Sequence, residues 1–185
     1  FIVSLKSGIG LFDPATGKVE HLVNPEPQHP QARFNDGKVD RAGRFWTGAM
    51  DTGGNSGLYR YDPDGSVHLM QTGVTCSNGL GWSPDNKTMY YNDSQISTIW
   101  VYDFDFATGS VANRRIFHKA TDGGEPDGLT IDSEGCLWTA VWDGWCVLRF
   151  DPAGKIMTKI VMPVQRPTCP TFGGDNLDEL YVTSA

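Results

Sequence analysis

Apolar and polar residues alternate along this chain in short runs broken by Gly, Asp, Asn and Pro, a pattern of short strands and turns. Four stretches, LFDPATGKVEHLV from Leu11, LYRYDPDGSVHLM from Leu58, IWVYDFDFATGSVANRRIF from Ile99 and VLRFDPAGKIMTKIV from Val147, run into an Asp-Pro or Asp-Phe turn and back out. Each predicts an antiparallel hairpin. Interleaved with them are hairpins of a second kind: NDGKVDRAGRFWTGAM from Asn35, NGLGWSPDNKTMYYND from Asn78, DGLTIDSEGCLWTAVW from Asp127 and PTFGGDNLDELYVTSA from Pro170. In these a short apolar strand leads through a turn into a strand opening on an apolar-aromatic pair: Phe45-Trp46, Met89-Tyr90, Leu137-Trp138 and Leu180-Tyr181.

The second set starts at intervals of 43, 49 and 43 residues, so the chain is a repeat of four-stranded units. Four strands every 40 to 50 residues predict an all-β fold of the β-propeller type, in which each blade buries its faces against its neighbours; an open β-sandwich would not need so regular a period. The expected layout is one incomplete blade over residues 1 to about 32, three whole blades, and the opening strands of another. The 185 residues then form a single propeller domain of about four blades, with both ends inside a blade.

Composition narrows the function. A net charge of −7 without a Lys/Arg cluster argues against nucleic acid and anionic membrane as partners, and no apolar run is long enough to span a bilayer as a helix. Small molecules and metals remain. Cys76, Cys136, Cys146 and Cys169 show neither CxxC nor zinc spacing and are expected to fill small apolar slots, and a cytoplasmic location is expected.

The stretch RFNDG, residues 33–37, can be read as turn material, since Asn, Asp and Gly suit tight turns. Pro126-Asp127-Gly128 invites the same reading. In a propeller, however, residues heading the innermost strands converge on the channel, and counting back from the aromatic pairs places Asn35, Asn78, Asp127 and Pro170 at one repeated address. Three of the four carry side-chain oxygen. Oxygen donors suit a hard cation such as Ca²⁺ or Mg²⁺. His21, His29, His68 and His118 lie away from this address, and Trp46, Trp138, Trp142 and Trp145 are expected mainly to pack the blades.

RFNDGKVDRAGRFWTGAMD, CSNGLGWSPDNKTMYYNDS, EPDGLTIDSEGCLWTAVWDG and CPTFGGDNLDELYVTS resemble, in order and spacing, the successive motifs of the senescence-marker-protein (regucalcin), gluconolactonase and luciferin-regenerating family. The resemblance implies a six-bladed propeller and a lactonase acting on sugar lactones at one axial divalent cation, Ca²⁺ first, with Mg²⁺, Mn²⁺ or Zn²⁺ as alternatives. It implies Asn78 and Asp127 as metal ligands and Arg33 and Asn35 as substrate contacts. The family's ligand Glu is expected upstream of Phe1. Asp127 is then also the catalytic candidate, as acceptor of a proton from the attacking water. Asp36 is expected to face away from Asn35 and to be structural. A phosphotriesterase-like hydrolase on the same site and a non-catalytic propeller binding module are the competing readings.

Overall fold

The computed structural model describes residues 1–51, 53–121 and 123–185, and among these the fold is all-β, with no helix. No helix is therefore long and apolar enough to cross a membrane. The chain divides into two compact units, Phe1–Ser77 and Asn78–Ala185.

In the first unit, β1 (Ile2–Leu5), β2 (Gly8–Asp13) and β3 (Lys18–Val23) form a three-stranded sheet. A four-stranded sheet follows from β4 (Arg33–Val39), β5 (Phe45–Met50), β6 (Ser56–Tyr61) and β7 (Val67–Val74). The strand β8 (Ser77–Trp82) begins at the last residue of this unit and continues in the second. There it forms a sheet with β9 (Thr88–Asp93), β10 (Thr98–Asp105) and β11 (Ser110–Lys119). The next four-stranded sheet holds β12 (Glu125–Ile131), β13 (Leu137–Trp142), β14 (Cys146–Phe150) and β15 (Ile156–Val161), and β16 (Pro167–Gly173) pairs with β17 (Glu179–Ser184). Neighbours in every sheet follow chain order, and the sheets hold three, four, four, four and two strands.

Burial explains why the strands differ in composition. The strands β5, β9 and β13 are almost wholly enclosed, with Trp46, Met89, Tyr91 and Leu137 at 0% exposure, so they read as largely apolar runs. The last strands of their sheets, β3, β11 and β15, are mostly exposed. In the second unit Tyr90, Ile99, Val101, Leu129, Leu137 and Phe150 form one cluster, and in the first Ala32, Phe34, Ala49 and Tyr59 form another. Each fully buried large side chain contributes about 1.5–3 kcal/mol relative to exposure. The outer hairpins turn at Gly17, Gly65, Gly109 and Gly154, all at positive φ, where a side chain would be strained.

Two repeated clamps brace individual sheets. In DRAGRFW the Asp40 carboxylate accepts hydrogen bonds from Arg44 and, six residues on, from the Trp46 indole at 3.0 Å. In DSEGCLW the Asp132 carboxylate accepts from the Trp138 indole at 2.9 Å and from Arg149 at 2.7 Å. Both tryptophans lie under an arginine from the strand beside them, Arg60 on Trp46 and Arg149 on Trp138. The spacing D-x-x-G-x-x-W is thus a structural device of the repeat.

Candidate functional site

RFNDG is strand and not turn: it opens β4. The pairing with β5 jumps from Phe34↔Ala49 to Gly37↔Thr47, leaving Asn35 and Asp36 opposite the single residue Gly48. This is a β-bulge, a device that re-aims side chains at a strand end. The Asn35 Nδ2 donates to the Ser77 carbonyl at 2.9 Å, so its Oδ1 is turned toward Arg33, whose Nη1 donates to it at 3.0 Å. Arg33 is exposed, touches Met50 Sδ at 3.6 Å, and forms no ion pair among the described residues. The surface salt bridge that would make it ordinary is therefore missing from that set. The bulge also removes the strict alternation that would put Asp36 opposite Asn35. Burial pushes the Asp36 carboxyl up, and the Gly37 N–H at 2.8 Å and Lys38 only partly offset this.

In the second unit the same irregularity recurs. Pairing between β12 and β13 passes from Pro126↔Val141 to Leu129↔Thr139, leaving Asp127 and Gly128 opposite Ala140. Pro126-Asp127-Gly128 is therefore also strand, and the turn reading fails here as well. Neither Gly79 nor Gly128 has a positive φ. Their missing side chains serve close approach: a Cβ on Gly79 would fall 2.4 Å from Leu129 N, and one on Gly128 would fall 2.5 Å from Cys169 Sγ.

Pro170 does not share the address. The shift between β16 and β17 lies between Pro167 and Cys169, at Thr168, while Pro170 pairs regularly with Val182. Five regular pairs, from Cys169↔Thr183 to Gly173↔Glu179, separate that shift from the turn, against three in each of the other two hairpins, so counting back from Leu180 stops two residues short of it. Thr168 holds Thr183 through a 2.7 Å hydroxyl contact.

The sequence reading missed the buried network behind Asn78 and Asp127. At the end of β9, in YYNDS, Asn92 is 0% and Ser94 3% exposed. Asn92 Nδ2 donates to the Asp127 carbonyl at 2.5 Å and to Thr139 Oγ1 at 3.0 Å. Ser94 Oγ donates to the Pro126 carbonyl at 2.6 Å and accepts from Asn78 Nδ2 at 2.9 Å. These bonds bring Asn78 and the Asp127 bulge onto one framework. Polar residues in an otherwise apolar buried strand were the signal that could have marked them.

The donor set fits a hard cation. Among the described residues Asn78 Oδ1 makes no hydrogen bond, Asp127 contributes a carboxylate, and the fully buried Asn92 Oδ1 has no partner. The histidines lie elsewhere: His21 bonds Ser7, His29 faces Glu26, His68 bonds Ser66, and His118 packs on Phe150. Among the described residues no cysteine is in a disulfide, and Cys76, Cys136 and Cys146 are buried as expected. Asp132, Glu134 and Cys136 bring three ligating atoms within 4.8 Å of one another, but Arg149 lies among the carboxylates and pairs with both. Burial alone would raise the Asp132 carboxyl; bonds from Trp138, Arg149 and the Cys136 N–H outweigh it and hold that carboxyl below its ordinary value. The two carboxylates already hold a cationic partner, Arg149, as the clamp of their repeat. Trp142 lies under Arg166, and Trp145 is 50% exposed.

The chain is 44% identical over 165 residues to regucalcin of Danio rerio, covering 85% of the chain and 56% of that protein. It is 38% identical over 191 residues to 6-deoxy-6-sulfogluconolactonase of Pseudomonas putida, covering 100% of the chain and 65% of that protein. The crystal structure of regucalcin from Agrobacterium tumefaciens, described as a calcium-binding protein, superposes with a TM-score of 0.92 at 30% identity, covering 100% of the chain and 64% of its own. The chain thus spans less than two thirds of the relatives it matches. Residues 1–185 match throughout the family described as SMP-30/Gluconolactonase/LRE-like region, and the chain belongs to that family.

Proposed function

We propose that the chain carries the cation-binding and substrate-orienting residues of a sugar-lactone hydrolase on a six-bladed β-propeller. Asn78 and Asp127 are ligands of one divalent cation, Ca²⁺ in preference to Mg²⁺, Mn²⁺ or Zn²⁺. Arg33 and Asn35 contact the substrate. The observation that supports this best is Asn78, whose amide nitrogen is committed to Ser94 while its oxygen is left without a partner among the described residues. Relatives named as lactonases, among them the Pseudomonas putida enzyme, support the substrate class.

When bound, the cation supplies Lewis-acid polarisation of the lactone carbonyl, worth several kcal/mol. The Asp127 carboxylate accepts a proton from the attacking water. Arg33 offers its planar fork of donors to substrate oxygens, held in direction by its bond to Asn35 Oδ1. Asn35 in turn is fixed by the Ser77 carbonyl, so the pair is oriented before substrate arrives.

The test is hydrolysis of an aldonolactone by the intact protein, in Ca²⁺ and in EDTA, for wild type and Asp127→Asn. Wild type should turn over only with metal. The variant should lose affinity for Ca²⁺ and stay about 10²–10⁴-fold slower at saturating metal. Full recovery at high Ca²⁺ would reduce Asp127 to a ligand. Turnover of an aryl phosphotriester but not the lactone would replace the substrate class, and indifference of both rate and thermal midpoint to EDTA would leave a binding module.

A further inference from the structure

We infer that Ser94 is a positioning residue that sets the direction of the Asn78 amide, presenting its oxygen as a ligand. This rests on the reading of Asn78 as a cation ligand. A serine hydroxyl has one hydrogen to donate. The Pro126 carbonyl can only accept, and Ser94 Oγ lies 2.6 Å from it, so that hydrogen is spent there. Toward Asn78, 2.9 Å away, Ser94 can then only accept. The amide must therefore turn its NH₂ to Ser94. A flipped amide would set two acceptors against each other in a place where Ser94 is 3% exposed and water cannot intervene freely.

The same hydroxyl joins the two candidate ligands mechanically. It holds the carbonyl of the residue before Asp127, while Asn92 holds the carbonyl of Asp127 itself. Ser94 thus couples the orientation of one ligand to the backbone position of the other. Removing it leaves the Pro126 carbonyl without its donor and lets the Asn78 amide take either orientation, only one of which offers oxygen.

The experiment is titration of the intact, metal-free protein with Ca²⁺ by calorimetry, with the metal-free thermal midpoint as the check on folding. Ser94→Ala should bind Ca²⁺ about 10–100-fold more weakly, the range typical of residues that orient metal ligands. In an Asn78→Asp background the same change should cost less than about threefold, because a carboxylate presents oxygen in either orientation. If Ser94→Ala does not fold, Ser94→Cys keeps the volume with a poor acceptor and should show the same loss. A lowered thermal midpoint with wild-type Ca²⁺ affinity would overturn the inference and leave Ser94 as a strut. Equal losses in the wild-type and Asn78→Asp backgrounds would also overturn it. Absence of Ca²⁺ binding by wild type would overturn both this and the proposed cation site.

Discussion

Gly79 lies against Asp127 so closely that a Cβ on the glycine would stand 2.6 Å from the Asp127 carbonyl oxygen. The contact is with main chain, which cannot swing aside as a side chain can. Gly79→Ala should therefore force β8 and β12 apart and cost about 1–3 kcal/mol, as overpacking in a close-packed interior does. Denaturant unfolding gives the measurement, and wild-type stability would show that the two strands have slack. Because the displaced backbone carries Asp127, Ca²⁺ affinity should fall in the same variant.

Arg33 should separate substrate handling from metal binding. A guanidinium has donors only and cannot ligate a cation. Arg33→Ala should lower kcat/KM for an aldonolactone by at least about tenfold while Ca²⁺ affinity stays within about twofold of wild type. Arg33→Lys should recover little, since an ammonium lacks the planar fork that Asn35 holds. A collapse of Ca²⁺ affinity in Arg33→Ala would instead assign Arg33 to the scaffold.

The clamp around Asp132 predicts a pH dependence of stability. Its carboxyl is held below the ordinary value of 3.8, so the folded state favours the charged form. That contribution is complete above the ordinary value and is lost as pH falls through the depressed one. Asp132→Asn should cost about 1.5–3 kcal/mol near neutrality, the range for hydrogen bonds to a charged group. The gap between variant and wild type should close below about pH 4. Stability curves that stay parallel in acid would mean that the charge of Asp132 contributes nothing.

Strand order and repeat length were legible in the sequence because alternation and turn chemistry are local. Two strands that must return on one another carry their own turn, and Gly17, Gly65, Gly109 and Gly154 mark it whatever surrounds them. The address counted from the sequence falls on the bulges at Asn35 and Asp127 but not at Pro170, since two extra pairs in the last hairpin change the count without changing the local pattern.

The sequence by itself determined the number and pairing of strands, the oxygen character of the candidate ligands, and the family. Only the tertiary structure decided that RFNDG and Pro126-Asp127-Gly128 are bulged strands, because the alternative to a turn is a partner strand that no local window contains. It alone decided that Gly79 and Gly128 are needed for close approach to neighbouring strands. It also placed Ser94 against Asn78, 16 residues away, and Asn92 against the Asp127 carbonyl, 35 residues away, since a hydrogen bond is set by distance in space and the chain records only distance along itself.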